Sequence, residues 1–397
     1  MPNEKDTMLD RPAGVLVSPP MTKAMAGLAA LAVAMGIGRF AFTPILPMML
    51  QDASLSIAEG RWLASANYVG YLLGALSAMA LRIRPEHAIR AGLLAIGLLT
   101  LAMGWPLPIA AWMLLRLLAG MASAWVLISV SAWCMETLAV YQRPFLNSFV
   151  FAGVGTGIAS AGLLCIALIH AAARSGHAWT VLGLLSLLVT AATWRFFRPH
   201  DAHAGTRSAT HARYRWNAEA IRLVCCYGIF GFGYIIPATF LPVMARSALH
   251  GSPLFAWSWP VFGVAAALST LTVSRLARRA GNRRVWMASH VVMAVGIVLP
   301  ALWPGLATIL AAALCVGGTF MVITLVALQE AKQIAGRDAT VLLAAMTSAF
   351  AAGQIIGPLT VSAGGGSSDF APALVFAAIL LAAGALLLAR KRDVAPA

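Results

Sequence analysis

The sequence predicts an all-α membrane protein with twelve transmembrane helices in two pseudo-symmetric six-helix bundles. Three observations predict it. Of the 397 residues, 60% are hydrophobic and 10% charged, against roughly 25% charge in an ordinary soluble domain. The apolar residues come in blocks long enough to cross a bilayer, which takes about 20 residues per helix: Ala24 to Leu50 holds one charge in 27 positions, and Pro108 to Met135 one in 28. The third is an internal repeat with an offset of 193 to 195 residues. About 12 blocks take up about 240 residues and leave short loops, with no separate catalytic domain. A soluble enzyme, a nucleic-acid module and a disordered chain are thereby excluded.

Blocks read between charge clusters and Gly/Pro breaks give the elements in order. Residues 1–22 form a mixed, proline-bearing tail without the basic, apolar and small-residue succession of a signal peptide. A first bundle, 23–197, holds spans near 23–50, 60–81, 88–105, 108–135, 145–170 and 178–197. Span 1 carries Gly36-Ile37-Gly38, Arg39, Pro44 and Pro47; span 2 carries Asn67 and Tyr71; span 4 carries Arg116; span 5 carries a glycine run from Gly153 to Gly157. A basic linker, 198–216, follows. Its His200, His203 and His211 lie on a flexible loop, which is weak ground for a metal site, and no metal or cofactor is expected. A second bundle, 217–389, holds spans near 217–244, 255–274, 285–303, 306–329, 340–363 and 371–389. Tyr234 falls in span 7, His290 in span 9 and Gln354 in span 11. Residues 390–397 are a second tail. The five cysteines all sit in apolar blocks, where they behave as small hydrophobes.

The net charge of +15 matters through its distribution. With both tails cytoplasmic, all but five of the 28 Lys and Arg fall in inner tails, loops and helix ends; Arg61, Arg174 and Arg246 fall outside, and Arg39 and Arg116 within spans. That is the positive-inside asymmetry of a multi-pass protein of the bacterial inner membrane. Basic loops meet anionic headgroups, so the expected partners are the lipid bilayer and a small-molecule substrate, not nucleic acid. A monomer is expected.

The halves resemble each other. Gly36-Ile37-Gly38 with Pro47 recurs as Gly231-Phe232-Gly233 with Pro242; Arg82 and Arg90 recur as Arg275 and Arg283; Glu136 with Arg143 recurs as Glu330 with Arg337. An even number of helices per repeat returns the chain to the same side, so the repeats are parallel, as in one large transporter class.

Several stretches carry a resemblance to that class, the major facilitator superfamily. Ser274 to Arg284 is similar to its motif between spans 8 and 9, Arg82 to Arg90 to a degraded copy between spans 2 and 3, and Arg116-Leu117-Leu118-Ala119-Gly120 to its Arg-x3-Gly motif. Gly153 to Gly157 resembles the antiporter motif, but the usual Gly-Pro pair is missing there and stands instead at Gly357-Pro358. More narrowly, Gly36 to Pro47 and Ala64 to Gly74 resemble the bacterial YbfB/YjiJ-type transporters. The resemblance implies the fold, the membrane and transport, and names no substrate.

Arg39 is the sharpest chemical signal. At about 1.5 Å per residue it lies about 24 Å from Lys23 and about 20 Å from Asp52, near mid-membrane, where an arginine costs at least about 2.5 kcal/mol and so faces protein or water. Arg116 differs from it in depth by about 4 to 5 Å. Two guanidinium groups in one cavity suit an anionic organic substrate held by bidentate hydrogen bonds. The competing role is capping of carbonyls freed by Pro44, Pro47 or the glycines, and for Arg116 the resemblance favours it, since the motif braces helix 1 in relatives. Asn67 and Tyr71 share one helix face, Tyr234 stands where Arg39 stands in the first half, and Gln354 lies mid-span. Together these six form the expected substrate site. Glu136–Arg143 and Glu330–Arg337 are expected inner-gate salt bridges. Ala66, Gly70, Gly74 and Ala78, Gly153, Gly157 and Ala161, and Ala349, Gly353 and Gly357 are close-packing stripes.

The expected function is secondary active transport of a small, anionic organic solute by alternating access, with H+ as the candidate coupling ion. No Asp or Glu lies deep in a span and His290 is the one deep histidine, so a proton site is not legible. The alternatives are a proton-coupled drug or metabolite exporter of the same fold, which wants a cavity carboxylate, and a membrane-embedded lipid-modifying enzyme, which wants paired acids or a metal cluster.

Overall fold

The computed structural model describes residues 20–53, 55–80, 83–138, 144–198, 216–248, 252–336, 339–361 and 370–390, and every regular element among them is helical. In the first half these are α1 (Pro20–Leu31), α2 (Phe42–Asp52), α3 (Ile57–Ala80), α4 (Pro85–Ala102), α5 (Ile109–Leu138), α6 (Pro144–His170) and α7 (Ser175–Thr193). In the second they are α8 (Ala218–Ala248), α9 (Ser258–Ala280), α10 (Asn282–Leu302), α11 (Leu306–Ala335), α12 (Ala339–Thr360) and α13 (Ala371–Ala389). Ten helical runs among the described residues are long and apolar enough to cross a membrane. Neither α3 nor α4 is among the ten: α3 dilutes its apolar run with Glu59, Arg61, Asn67 and two tyrosines, and α4 has only 18 residues, with Glu86, His87 and Arg90 in its first turns.

Each half packs in the same pattern. The pairs α3 with α5, α4 with α5, α4 with α7 and α1 with α6 recur as α9 with α11, α10 with α11, α10 with α13 and α8 with α12. Single residues repeat it. The Arg90 guanidinium donates to the Trp194 carbonyl past the end of α7, and Arg283 donates to the Leu388 and Arg390 carbonyls at the end of α13. A cation at a helix C-terminus meets both the unfilled carbonyls and the negative end of the dipole.

The halves meet chiefly through α6 with α9, α3 with α12, and α2 with α8. The α6–α9 seam is close because Gly155 and Gly263 face each other. A Cβ on Gly263 would overlap the backbone of Gly155 and Ala159, so the helices touch backbone to backbone. Large apolar side chains such as Leu188, Leu268, Ile379 and Leu386 are 60% or more exposed around the outside. That surface suits hydrocarbon and not water.

The first span differs from the continuous helix that the sequence predicts. After α1 the chain widens into a π-helical stretch, Ala32–Ile37, turns through Gly38 to Ala41, and resumes as α2. Gly38 and Phe40 bond five residues back, to Val33 and Met35. Proline supplies no N–H and clashes with the carbonyl four residues before it. Pro44 therefore breaks the ladder at Phe40, and the break lies beside Arg39.

Candidate functional site

The break in span 1 leaves the Gly38 and Arg39 carbonyls to be satisfied from elsewhere. Arg116, 2% exposed on α5, donates Nη2 to the Arg39 carbonyl at 3.1 Å and Nη1 to the Gly38 carbonyl at 3.4 Å. Asn67 on α3 donates to the Arg116 carbonyl at 2.8 Å and to Gly38 at 3.4 Å. The Arg116 guanidinium also lies 4.8 Å from the Phe42 ring centroid. These two expected site residues thus grip the backbone of the break. The Oδ1 of Asn67 and the Nε of Arg116 are buried without a partner.

The other four expected residues meet around Arg39. Its side chain is 2% exposed and lies 4.0 Å from the Tyr71 ring centroid, 5.5 Å from that of Tyr68 and 5.4 Å from that of Phe40. Arg39 Nη2 donates to Gln354 Oε1 at 2.5 Å, and Gln354 Nε2 donates to the Tyr234 hydroxyl. Arg39 Nε has no partner, and no carboxylate pairs with this guanidinium among the described residues. A buried cation held by π faces and one amide oxygen is under-compensated, because a buried charge needs a counter-charge or a full set of bonds.

Tyr234 extends the site into an aromatic column. Its ring is nearly parallel to Phe320 (5°, 5.7 Å) and to Phe350 (9°, 5.6 Å), and Phe350 stacks on Tyr227 at 5.0 Å. Phe40 joins this column to the Arg39 cage through Phe320 at 6.2 Å. The sequence reading missed the phenylalanines. The signal was present in Tyr227, Phe230 and Tyr234, spaced three and four apart on one face of α8. It missed too the hydroxyl pair Tyr68–Thr239, 2.8 Å apart, which joins α3 to α8.

One end of the assembly is fastened close by. Arg246 on α8 donates Nη1 to the Pro47 carbonyl and Nη2 to Gln51 Oε1 at 2.8 Å. Asp52 accepts from the backbone N–H of Ser175 at 2.5 Å and from its hydroxyl at 2.6 Å, so a carboxylate sits on the N-terminus of α7. At the opposite end Ser148 of α6 and Ser274 of α9 share a hydroxyl bond of 2.8 Å. Cavities of about 840 Å³, between Asp52, Trp112 and His177, and of about 140 Å³, between Ile83 and Ser129, lie toward the ends of the first half.

Of the expected gating residues, Glu330 is buried, at 1% exposed. Arg143, Arg337 and the side chain of Glu136 lie outside the described residues, as do His200, His203 and His211. A half-buried ion cluster that the sequence reading did not pair lies where α8 begins: Glu219 binds both Arg222, at 2.6 Å, and Arg283. His290 packs against Trp286 and Phe230, with ring nitrogens 3.3 Å from the Trp286 carbonyl and 3.4 Å from that of Cys226. No group of three or more metal-ligating side chains occurs among the described residues.

Repeated helix packing, a broken first span and polar side chains gathered where the halves meet define a multi-pass membrane transporter of the major facilitator class. The chain belongs to the family described as "Uncharacterised MFS-type transporter YbfB", whose sequence pattern matches residues 31–391. Its fold is similar to a crystal structure of a mutant of the nucleoside transporter NupG, with TM-score 0.71 and 15% identity, covering 93% of this chain and 99% of that one. No curated protein matches the chain. Family and fold are those of transporters rather than enzymes.

Proposed function

We propose that the protein is a secondary transporter that binds a small organic anion on Arg39 and carries it across the bacterial inner membrane by alternating access. The observation that supports this reading is the Arg39 guanidinium, buried where the halves meet, with Nε unpartnered and no carboxylate among the described residues to neutralise it. An anion supplies the missing charge and the missing acceptor together. Arg116 and Asn67 serve the site by holding the backbone that presents Arg39, while Tyr71 and Tyr234 touch the solute and Gln354 bonds to Arg39. The halves, 23–197 and 217–389, make up twelve spans when the α1–α2 pair counts as one and α3 and α4 each count, and they rock about the α6–α9 and α3–α12 seams. Both tails and the basic linker face the cytoplasm, where Arg and Lys meet anionic lipid.

The test is uptake into proteoliposomes of a panel of radiolabelled organic anions and cations, with and without an uncoupler. Anions should move, and Arg39→Gln should reduce transport by at least about tenfold, since a charged hydrogen bond is worth about 1.5–3 kcal/mol, at unchanged protein incorporation. Unchanged transport in Arg39→Gln, or movement of cations only, would overturn the reading. The uncoupler arm reports whether protons drive it.

A further inference from the structure

We infer that Gln354 stands in for the carboxylate of the solute, and that the solute is an aromatic monocarboxylate whose binding displaces this glutamine. The inference rests on the anion-binding reading of Arg39 and goes further, naming the headgroup, the body and the residue that competes with it.

The geometry of one guanidinium edge carries the argument. The Nε–H and Nη2–H bonds of an arginine point the same way, as a two-donor fork that a carboxylate fills with its two oxygens. In Arg39 that fork is half used: Nη2 donates to Gln354 Oε1 at 2.5 Å, and Nε, buried, has no partner. An amide has one oxygen to offer, so Gln354 satisfies one donor and leaves the other; a carboxylate satisfies both and adds the charge that the amide lacks. The fork has one free guanidinium behind it, because Arg116 is bonded to the Gly38 and Arg39 carbonyls. A single carboxylate is therefore the match, and a dicarboxylate would bury a second charge beside rings. The body follows from the surrounding rings: Tyr71, Tyr68 and Phe40 enclose the cation, and Gln354 bonds to the hydroxyl of Tyr234, whose ring stacks with Phe320 and Phe350, so a displaced Gln354 leaves a space walled by aromatic residues.

Displacement has a mechanical result. Arg39 belongs to the first half, and Gln354 and Tyr234 to the second, so the bond that the solute replaces is one that ties the halves together.

The experiment uses the purified full chain in detergent, with benzoate as probe and benzamide as its neutral counterpart, read by thermal shift. Benzoate should raise the melting temperature by about 2 °C or more, and benzamide should not. Gln354→Glu supplies an internal carboxylate to the fork: it should melt higher than the unaltered protein and lose its response to benzoate, and the added Arg39→Gln change should abolish the gain. Should Gln354→Glu fail to fold, Gln354→Leu, which removes the competing oxygen, should bind benzoate about tenfold more tightly. A Gln354→Glu protein that responds to benzoate as before, a Gln354→Leu protein that binds it no more tightly, or an unaltered protein indifferent to benzoate overturns the inference. Arg39→Gln transport separates the two readings. If it is lost while the Gln354 variants behave as the unaltered protein, anion binding at Arg39 stands and the stand-in role falls; if it persists, both fall.

Discussion

The Thr43 hydroxyl donates to the Ala238 carbonyl at 2.6 Å across the interface between the halves, and these two residues are 195 positions apart, the offset of the internal repeat. Gln51 and Arg246, also 195 apart, bond to each other further along the same helices. Equivalent positions that touch lie on the axis relating the repeats, as in any isologous contact. The Ala238 carbonyl is available because Pro242, four residues later, has no N–H to give it. The same proline that interrupts α8 thus creates the acceptor for its symmetry mate.

Replacing Thr43 by Val should leave that carbonyl buried without a donor and destabilise the protein by about 1–3 kcal/mol, while Thr43→Ser keeps the bond. Unfolding in mixed micelles, with denaturing detergent as the variable, separates the two variants. Equal stability of Val and Ser would show that the bond contributes nothing.

Arg116→Leu removes the donor for the Arg39 carbonyl and one of the two donors on the Gly38 carbonyl, leaving Asn67 on the latter. The expected loss is about 2–4 kcal/mol, seen as a lower melting temperature and lower yield, with any surviving protein impaired in transport because Arg39 is no longer presented. Normal melting with lost transport would instead place Arg116 on the solute.

Gly263→Val puts a branched side chain against the backbone of Gly155 and Ala159. The seam must open, so transport should fall by more than about tenfold, and a disulfide engineered across α6 and α9 should form more slowly. An unaltered crosslinking rate would argue that the seam is already loose.

Glu219→Gln leaves Arg283 and Arg222 without their shared counter-charge. The cost should be about 2 kcal/mol, below the 3–5 of a fully buried pair, since 16% of the Arg283 side chain is exposed. Arg283→Lys should destabilise this end as well despite keeping the charge, because one ammonium cannot reach Glu219, Leu388 and Arg390 in the same fork geometry. Limited proteolysis of the linker and tail, compared between variants, reads this end of the second half directly.

Much of the architecture is legible in the sequence because it follows from local composition. Apolar block length marks the helices, and the recurrence of Gly36 and Pro47 at Gly231 and Pro242 marks the two halves. Depth along a helix is also local, which is why Arg39 and Arg116 can be placed near each other from counting alone. What the sequence hides is lateral. The bond between Arg39 and Gln354 spans 315 positions, and the stacking of Tyr234 between Phe320 and Phe350 needs three helices in register. The glycines and prolines of span 1 signal irregular backbone, but a π-helical register has no residue signature. The capping of α7 by Asp52 joins the end of α2 to the start of α7, a meeting that no periodicity encodes.

Phe320, Tyr234 and Phe350 come from α11, α8 and α12, and the Tyr234 plane lies within 9° of parallel to each of the other two. Flat faces resist being pulled apart but offer little friction to gliding, since dispersion between them varies slowly with lateral offset. Three helices of one half thus meet through broad ring contacts, where branched aliphatic side chains at the same places would interlock knob into hole. The middle ring of the three, Tyr234, is thereby held in place for the glutamine that reaches across to Arg39.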